Sequence, residues 1–230
     1  MTVETKRKNA VKRTRLIVGA VVLIAVAVAA ALVLVSNQSA VSSTAYDYSQ
    51  IPQERQADGG FVLGNPDAPV TIVAFEDFLC GHCQRYKVHV DKLISEYVSK
   101  GLARFEYRFT PVVDPSYSWQ TARLAECSEA LRPGSFWNAH DALYEIASAR
   151  QFSDNSSRIF AERMNMSYAD LLECTRDADQ VDKDLQLANQ LGVTGTPTVF
   201  VRYGNGFPQS FPFGKQPNFE QLAAVIDQAS

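Results

Sequence analysis

Two cysteines separated by two residues, Cys80-Gly81-His82-Cys83, stand where a β-branched apolar run gives way to an amphipathic pattern. The run Val70-Thr71-Ile72-Val73-Ala74-Phe75 suits a buried strand, and Tyr86, Val90, Leu93, Ile94 and Tyr97 recur at the spacing of one helical face. Cys80 is thereby placed at a strand-to-helix junction. The unpaired amides of a first helical turn and the helix dipole favour negative charge there, so this thiol should ionise more readily than a free cysteine. A pair at this spacing is either a redox couple or half a zinc site. Zinc usually takes four ligands, and neither Cys127 nor Cys174 has a second ligand at close spacing, so a redox couple is expected and no metal.

The N-terminal region constrains topology. Residues 16–35 read LIVGAVVLIAVAVAAALVLV, without a charge; a helix of that length spans roughly 30 Å, the thickness of a hydrocarbon layer. Lys6, Arg7, Lys8, Lys12, Arg13 and Arg15 precede it against the single acid Glu4. The positive-inside rule then keeps residues 1–15 in the cytoplasm and sends the remainder across, giving a single-pass protein of the cell membrane with an extracytoplasmic domain. A cleaved signal peptide is the alternative. Its apolar region would be unusually long, and Gln38 falls where a cleavage site wants a small residue.

Of the chain's 22 Lys and Arg and 25 Asp and Glu, those six bases and Glu4 lie before Ser36, so residues 36–230 carry 16 against 24, a net charge of −8. An acidic exported part offers no basic face for nucleic acid. Its four cysteines suit an oxidising compartment and allow three pairings.

Residues 36–60 are rich in Ser, Gln, Asn and Asp and are expected to form a flexible linker reaching roughly 25–30 Å. Phe61-Val62-Leu63, between Gly59-Gly60 and Gly64-Asn65-Pro66-Asp67, is expected to be a short first strand. After the cysteine-bearing helix, Gly101 marks its end, residues 102–110 alternate like a strand, and Pro111 and Pro115 close it. A helical block follows, about residues 115–192. Leu124, Cys127 and Leu131 share a face, as do Phe136, His140, Leu143, Tyr144 and Ala147, and Val181, Leu185 and Ala188. Ser167 and Asp170 form a weak capping box before Cys174. Beyond Gly192, strand chemistry resumes through Thr198-Val199-Phe200-Val201, residues 207–213 suit a proline-interrupted edge strand, and Phe219, Leu222, Ala223 and Ile226 form one face of a closing helix. The order β-β-α-β, helical block, β-β-α is an α/β arrangement around one sheet.

Three stretches, GNPDAPVTIVAFEDFLCGHC, LAECSEALRPGSFWNAHDALYE and LGVTGTPTVFV, together resemble the thioredoxin superfamily, and more closely its DsbA-like branch, over residues 61–230. The resemblance implies a thioredoxin-like fold with an inserted helical domain and the activity of a thiol-disulfide oxidoreductase. It further implies that Pro197 is a cis proline beside the redox cysteines and, with Thr196 before it, helps bind the substrate's cysteine-containing segment. It implies that Cys127 and Cys174 pair in a structural disulfide. It also implies exported protein substrates with cysteines and a quinone-linked membrane reoxidant of the DsbB or vitamin K epoxide reductase type, with no bound cofactor.

In the exchange chemistry Cys80 is expected to be the accessible nucleophile and Cys83, one turn into the helix, the resolving thiol. His82 is expected to lower the Cys80 pKa further through its ring. Glu76 and Asp77 are polar residues at the strand end, where a carboxylate could relay protons for Cys83; His140 is expected to be a packed core histidine. DsbA-like oxidases commonly carry Pro-His between the cysteines, whereas Gly81-His82 is similar to the dipeptide of protein disulfide isomerases. A reductase or isomerase is therefore the enzymatic alternative, and a thioredoxin-like chaperone or binding module the non-enzymatic one.

Overall fold

The structure, a computed structural model, describes residues 46–229. The expected basic tail, membrane segment and first part of the linker lie outside these residues; among the described residues no helix is long and apolar enough to cross a membrane. Residues 47–230 form a unit of their own.

Its centre is a sheet of β1 (Gln53–Arg55), β2 (Phe61–Leu63), β3 (Val70–Glu76), β4 (Arg104–Phe109), β5 (Thr198–Tyr203) and β6 (Gln209–Ser210), in the order β1-β2-β4-β3-β5-β6. β3 pairs parallel with β4 and antiparallel with β5, so both its edges are satisfied and all its residues are buried. That is why its sequence is a continuous apolar run rather than an alternation.

The register sorts the sheet into two unlike faces, because residues opposite one another on paired strands point the same way. On one face, Ile72 opposite Phe105 and Ala74 opposite Tyr107 lead to an aromatic core with Phe61, Phe78, Phe109, Phe136 and Trp137. On the other, Thr71, Val73 and Phe75 lie opposite Arg104, Glu106 and Arg108. The alternation expected in β4 is therefore real, yet its polar half is also buried.

α1 (Gly81–Leu93) follows β3, runs on as a π-helical turn (Ile94–Val98), and the chain leaves it through Gly101 at φ +74°, a left-handed conformation glycine adopts without strain. Between β4 and β5 the chain builds α2 (Tyr117–Leu131), α3 (Phe136–Ser148), α4 (Ser156–Met164), α5 (Tyr168–Cys174) and α6 (Gln180–Gln190), and it closes with α7 (Phe219–Ala229). The α/β class and the helical insertion are both present.

Three local expectations are corrected. The linker does not extend to residue 60: Tyr48 and Ile51 are buried, the Tyr48 hydroxyl donates to Asp141 at 2.7 Å, and β1 pairs with β2. Three-residue β1 carries no apolar period of its own, so only pairing reveals it. Leu131 does not share the buried face of Leu124 and Cys127; at the end of α2 it is exposed. The proline-interrupted strand of residues 207–213 pairs only at Gln209 and Ser210.

The charged face is closed by α6. Arg108 is buried, and its guanidinium donates to Glu106 at 2.7 Å, Asp184 at 2.9 Å and Asp58 at 2.8 Å. Asp184 also accepts the Phe109 N–H at 2.8 Å, and Arg202 on β5 donates to Glu106 at 2.5 Å and 3.0 Å. Gly60 is required beside this network, since a Cβ there would lie 2.3 Å from the Arg108 guanidinium carbon.

Candidate active site

Strand β3 delivers Glu76 to the end of the sheet, and the short link Asp77-Phe78-Leu79 turns the chain into α1 with Cys80 as its N-cap. Asp77 makes that link: its carboxylate accepts the Leu79 N–H and, through the other oxygen, the N–H groups of Val112 and Val113, each at 2.9 Å. Asp77 is thus fully used in joining two loops. Glu76 is in a different position. It is buried, accepts a hydrogen bond from the Tyr144 hydroxyl at Oε2, and has no partner for Oε1 among the described residues. Burial pushes its carboxyl up to about 7, against the Tyr144 hydrogen bond and the charge of Lys87.

The two cysteines are free thiols in unlike surroundings. Cys80 is drawn down to about 5, first by a hydrogen bond from the Cys83 thiol, against desolvation, and then by the backbone N–H groups of Cys83 and His82. The thiol form of Cys80 donates to the Thr196 carbonyl at 3.4 Å. Cys83 is fully buried, and burial, its role as donor to Cys80, and the Glu76 charge all push its thiol up. A stabilised thiolate and a thiol held neutral therefore sit one helical turn apart.

The Thr196–Pro197 peptide is cis and precedes β5, which lies beside β3; this brings Thr196 to Cys80 across a large sequence separation. His82 is handled differently from expectation. Its ring is exposed and has no hydrogen bond, ion pair or ring contact among the described residues; its backbone N–H is what contributes to the thiolate. Cys127 and Cys174 are bonded at 2.04 Å, joining α2 to α5. His140 is buried among Phe78, Tyr107 and Tyr144, with Nδ1 3.0 Å from Asp141. Among the described residues no cluster could hold a metal ion.

Two residues at the site were not singled out from the sequence. Tyr144 was legible only as part of an apolar helical face. Lys87, whose charge reaches Glu76, follows Cys83 by one turn of α1, and that i+4 spacing was the available signal. Lys87 pairs with Asp91 at 2.6 Å and Asp141 at 3.0 Å.

The family profile described as thioredoxin matches residues 56–228. The chain belongs to the thioredoxin family. Among curated relatives of this thioredoxin-family chain, the Na(+)/H(+) antiporter NhaA 3 of Salinispora tropica is 31% identical over 176 residues, covering 75% of this chain and 25% of the relative. This chain therefore spans about a quarter of that protein's length. Disulfide bond formation protein D of Bacillus subtilis is 28% identical over 156 residues, covering 61% of this chain and 66% of the relative. The solved structure of Wolbachia pipientis alpha-DsbA1 superposes with a TM-score of 0.62 at 20% identity, over 76% of this chain and 92% of that one. Oxidised BdbD of Bacillus subtilis gives 0.60 at 23%, over 73% and 91%. The fold is thus thioredoxin-like, of the DsbA type with its helical insertion.

Proposed function

We propose that the chain is a protein thiol-disulfide oxidoreductase that forms disulfide bonds in exported proteins through Cys80 and Cys83. The observation that carries this is the asymmetry of the pair: a thiolate stabilised to about 5 at a helix N-terminus, beside a buried thiol pushed the other way. The relative named disulfide bond formation protein D supports the same activity. Antiport is not carried over from the Salinispora relative, which matches over only a quarter of its length.

Starting from the Cys80–Cys83 disulfide, a substrate thiolate attacks the Cys80 sulfur, forming a mixed disulfide as Cys83 leaves and takes up a proton. A second substrate thiolate attacks the substrate sulfur, forming the substrate disulfide and expelling Cys80 as a thiolate. The substrate loses two electrons and the enzyme disulfide gains them, becoming the dithiol. Glu76, buried and half-protonated near neutral pH, is the group that exchanges the Cys83 proton. Thr196 and Pro197 form the wall against which the substrate segment lies beside Cys80. A Cys80 thiolate this stable favours the reduced enzyme, which makes the disulfide oxidising.

The apolar residues 16–35 anchor the domain on the outer side of the cell membrane with residues 1–15 in the cytoplasm. A membrane reoxidant restores the disulfide, and the quinone-linked DsbB or vitamin K epoxide reductase type is the kind proposed. The test is a trap in the full-length chain. Cys83→Ala should accumulate substrate complexes joined through Cys80, and Cys80→Ser should abolish them; complexes that persist without Cys80 overturn the assignment. A reduction potential near roughly −270 mV, rather than toward roughly −120 mV, would instead favour the reductase or isomerase alternative.

A further inference from the structure

A cavity of about 380 Å³ opens on the helical insertion, lined by Pro115, Ser116, Trp119, Gln120, Arg123 and Thr175. Arg123 sits one turn before Cys127 on α2, and Thr175 directly follows Cys174 at the end of α5, so the Cys127–Cys174 disulfide ties the cavity's two walls together. The Arg123 guanidinium lies 5.5 Å from the Trp119 ring centre. Its Nε is buried and has no hydrogen-bond acceptor among the described residues, and the side chain forms no ion pair with them. Arg123 as a whole is half-buried, whereas the described arginines that are buried outright, Arg104, Arg108 and Arg202, each have a carboxylate partner.

A buried N–H without an acceptor costs stability until something meets it. A guanidinium offers a planar fork matched to a carboxylate, and the indole face beside it suits the aliphatic stem that carries such a group. We propose that this cavity is a carboxylate-binding site, separate from the cysteine pair, in which Arg123 takes the carboxylate and Trp119 its stem. The carboxylate comes from a small free acid or from an acidic side chain of a protein that the enzyme engages.

The site can be read directly because Trp137, the protein's other tryptophan, is buried in the aromatic core. Full-length protein is titrated with succinate, with an acetylated peptide containing one glutamate, with its glutamine counterpart, and with inorganic phosphate, following tryptophan fluorescence. A saturable change with succinate that vanishes with its reporter in Trp119→Phe, and whose affinity is weakened about ten- to a hundredfold in Arg123→Gln, supports a free acid. Binding of the glutamate peptide alone supports a protein-borne carboxylate. Arg123→Lys should fall between wild type and Arg123→Gln, and circular dichroism checks that each variant is folded. No saturable change with any carboxylate, equal affinity in Arg123→Gln, or tighter binding of phosphate than of either carboxylate overturns the proposal. Repeating the titration in Cys80→Ser keeps the result independent of the redox chemistry.

Discussion

Tyr144 of α3 donates its phenolic hydrogen to Oε2 of Glu76 at the end of β3, joining the helical insertion to the carboxylate beneath the cysteine pair. Both residues are completely buried. The phenol cannot ionise in this setting, because desolvation and the Glu76 charge raise it well above its ordinary value. It acts as a fixed donor that holds the Glu76 carboxyl lower than burial alone would place it.

Tyr144→Phe should therefore move the Glu76 titration above its value of about 7. The loss of one buried hydrogen bond should cost roughly 1–3 kcal/mol of stability. Carbon-13 chemical shifts of the Glu76 carboxyl checks the first effect and denaturant unfolding the second. An unmoved titration would remove Tyr144 from the control of this acid.

Glu76 itself should make stability depend on pH in a defined direction. Its folded pKa is raised from the ordinary 4.5 to about 7, so the folded chain binds more protons between these values. The stabilising contribution is complete below 4.5 and is lost as the pH rises through about 7. In reduced protein Glu76→Gln should then gain roughly 1–3 kcal/mol relative to wild type at about pH 8, and much less at about pH 5. Paired denaturant curves at the two pH values measure this, and an equal difference at both would contradict it.

The thiolate absorbance of reduced protein should titrate with a midpoint of about 5 and disappear in Cys80→Ser. Because the contribution of His82 comes from its backbone N–H, His82→Ala should shift that midpoint by less than about one unit. A larger rise would restore a role to the imidazole ring.

Asp184→Ala would remove one of the three carboxylates that hold the buried Arg108 guanidinium, leaving Glu106 and Asp58, and would leave the Phe109 N–H without its acceptor. Removing one partner of such a buried pair typically costs about 3–5 kcal/mol. A loss below about 1 kcal/mol by denaturant unfolding would show that the network relaxes around the gap.

Removing the Cys127–Cys174 bond, which closes a loop spanning 47 residues in sequence, should cost roughly 3–4 kcal/mol in the loop-entropy account. Graded reduction followed by mass mapping should release Cys80 and Cys83 before this pair. Free Cys127 and Cys174 in protein isolated without reductant would contradict the bond.

The strand-to-helix junction at Cys80, the buried character of β3, the chain's exit at Gly101 beyond α1 and its π-helical turn, and the apolar face of α3 can be read from the chain alone, because each depends on neighbours within a few residues. Periodicity and glycine chemistry act at that range. The remaining features arise from contacts at long separation in the sequence. Glu76 and Asp77 are adjacent carboxylates with no local difference, yet one meets Tyr144 and is buried half-satisfied while the other is consumed by Val112 and Val113. β4 reads as a strand with a solvent face, and only the docking of α6, which brings Asp184 to Arg108, turns that face into a buried ionic layer. β1 exists because Gln53 pairs opposite Leu63, and Thr196 reaches Cys80 because β5 lies beside β3. Local patterning determines which face of an element is apolar, but the partner of a buried polar group is chosen only when distant elements pack, since desolvation makes each such group depend on who arrives to meet it.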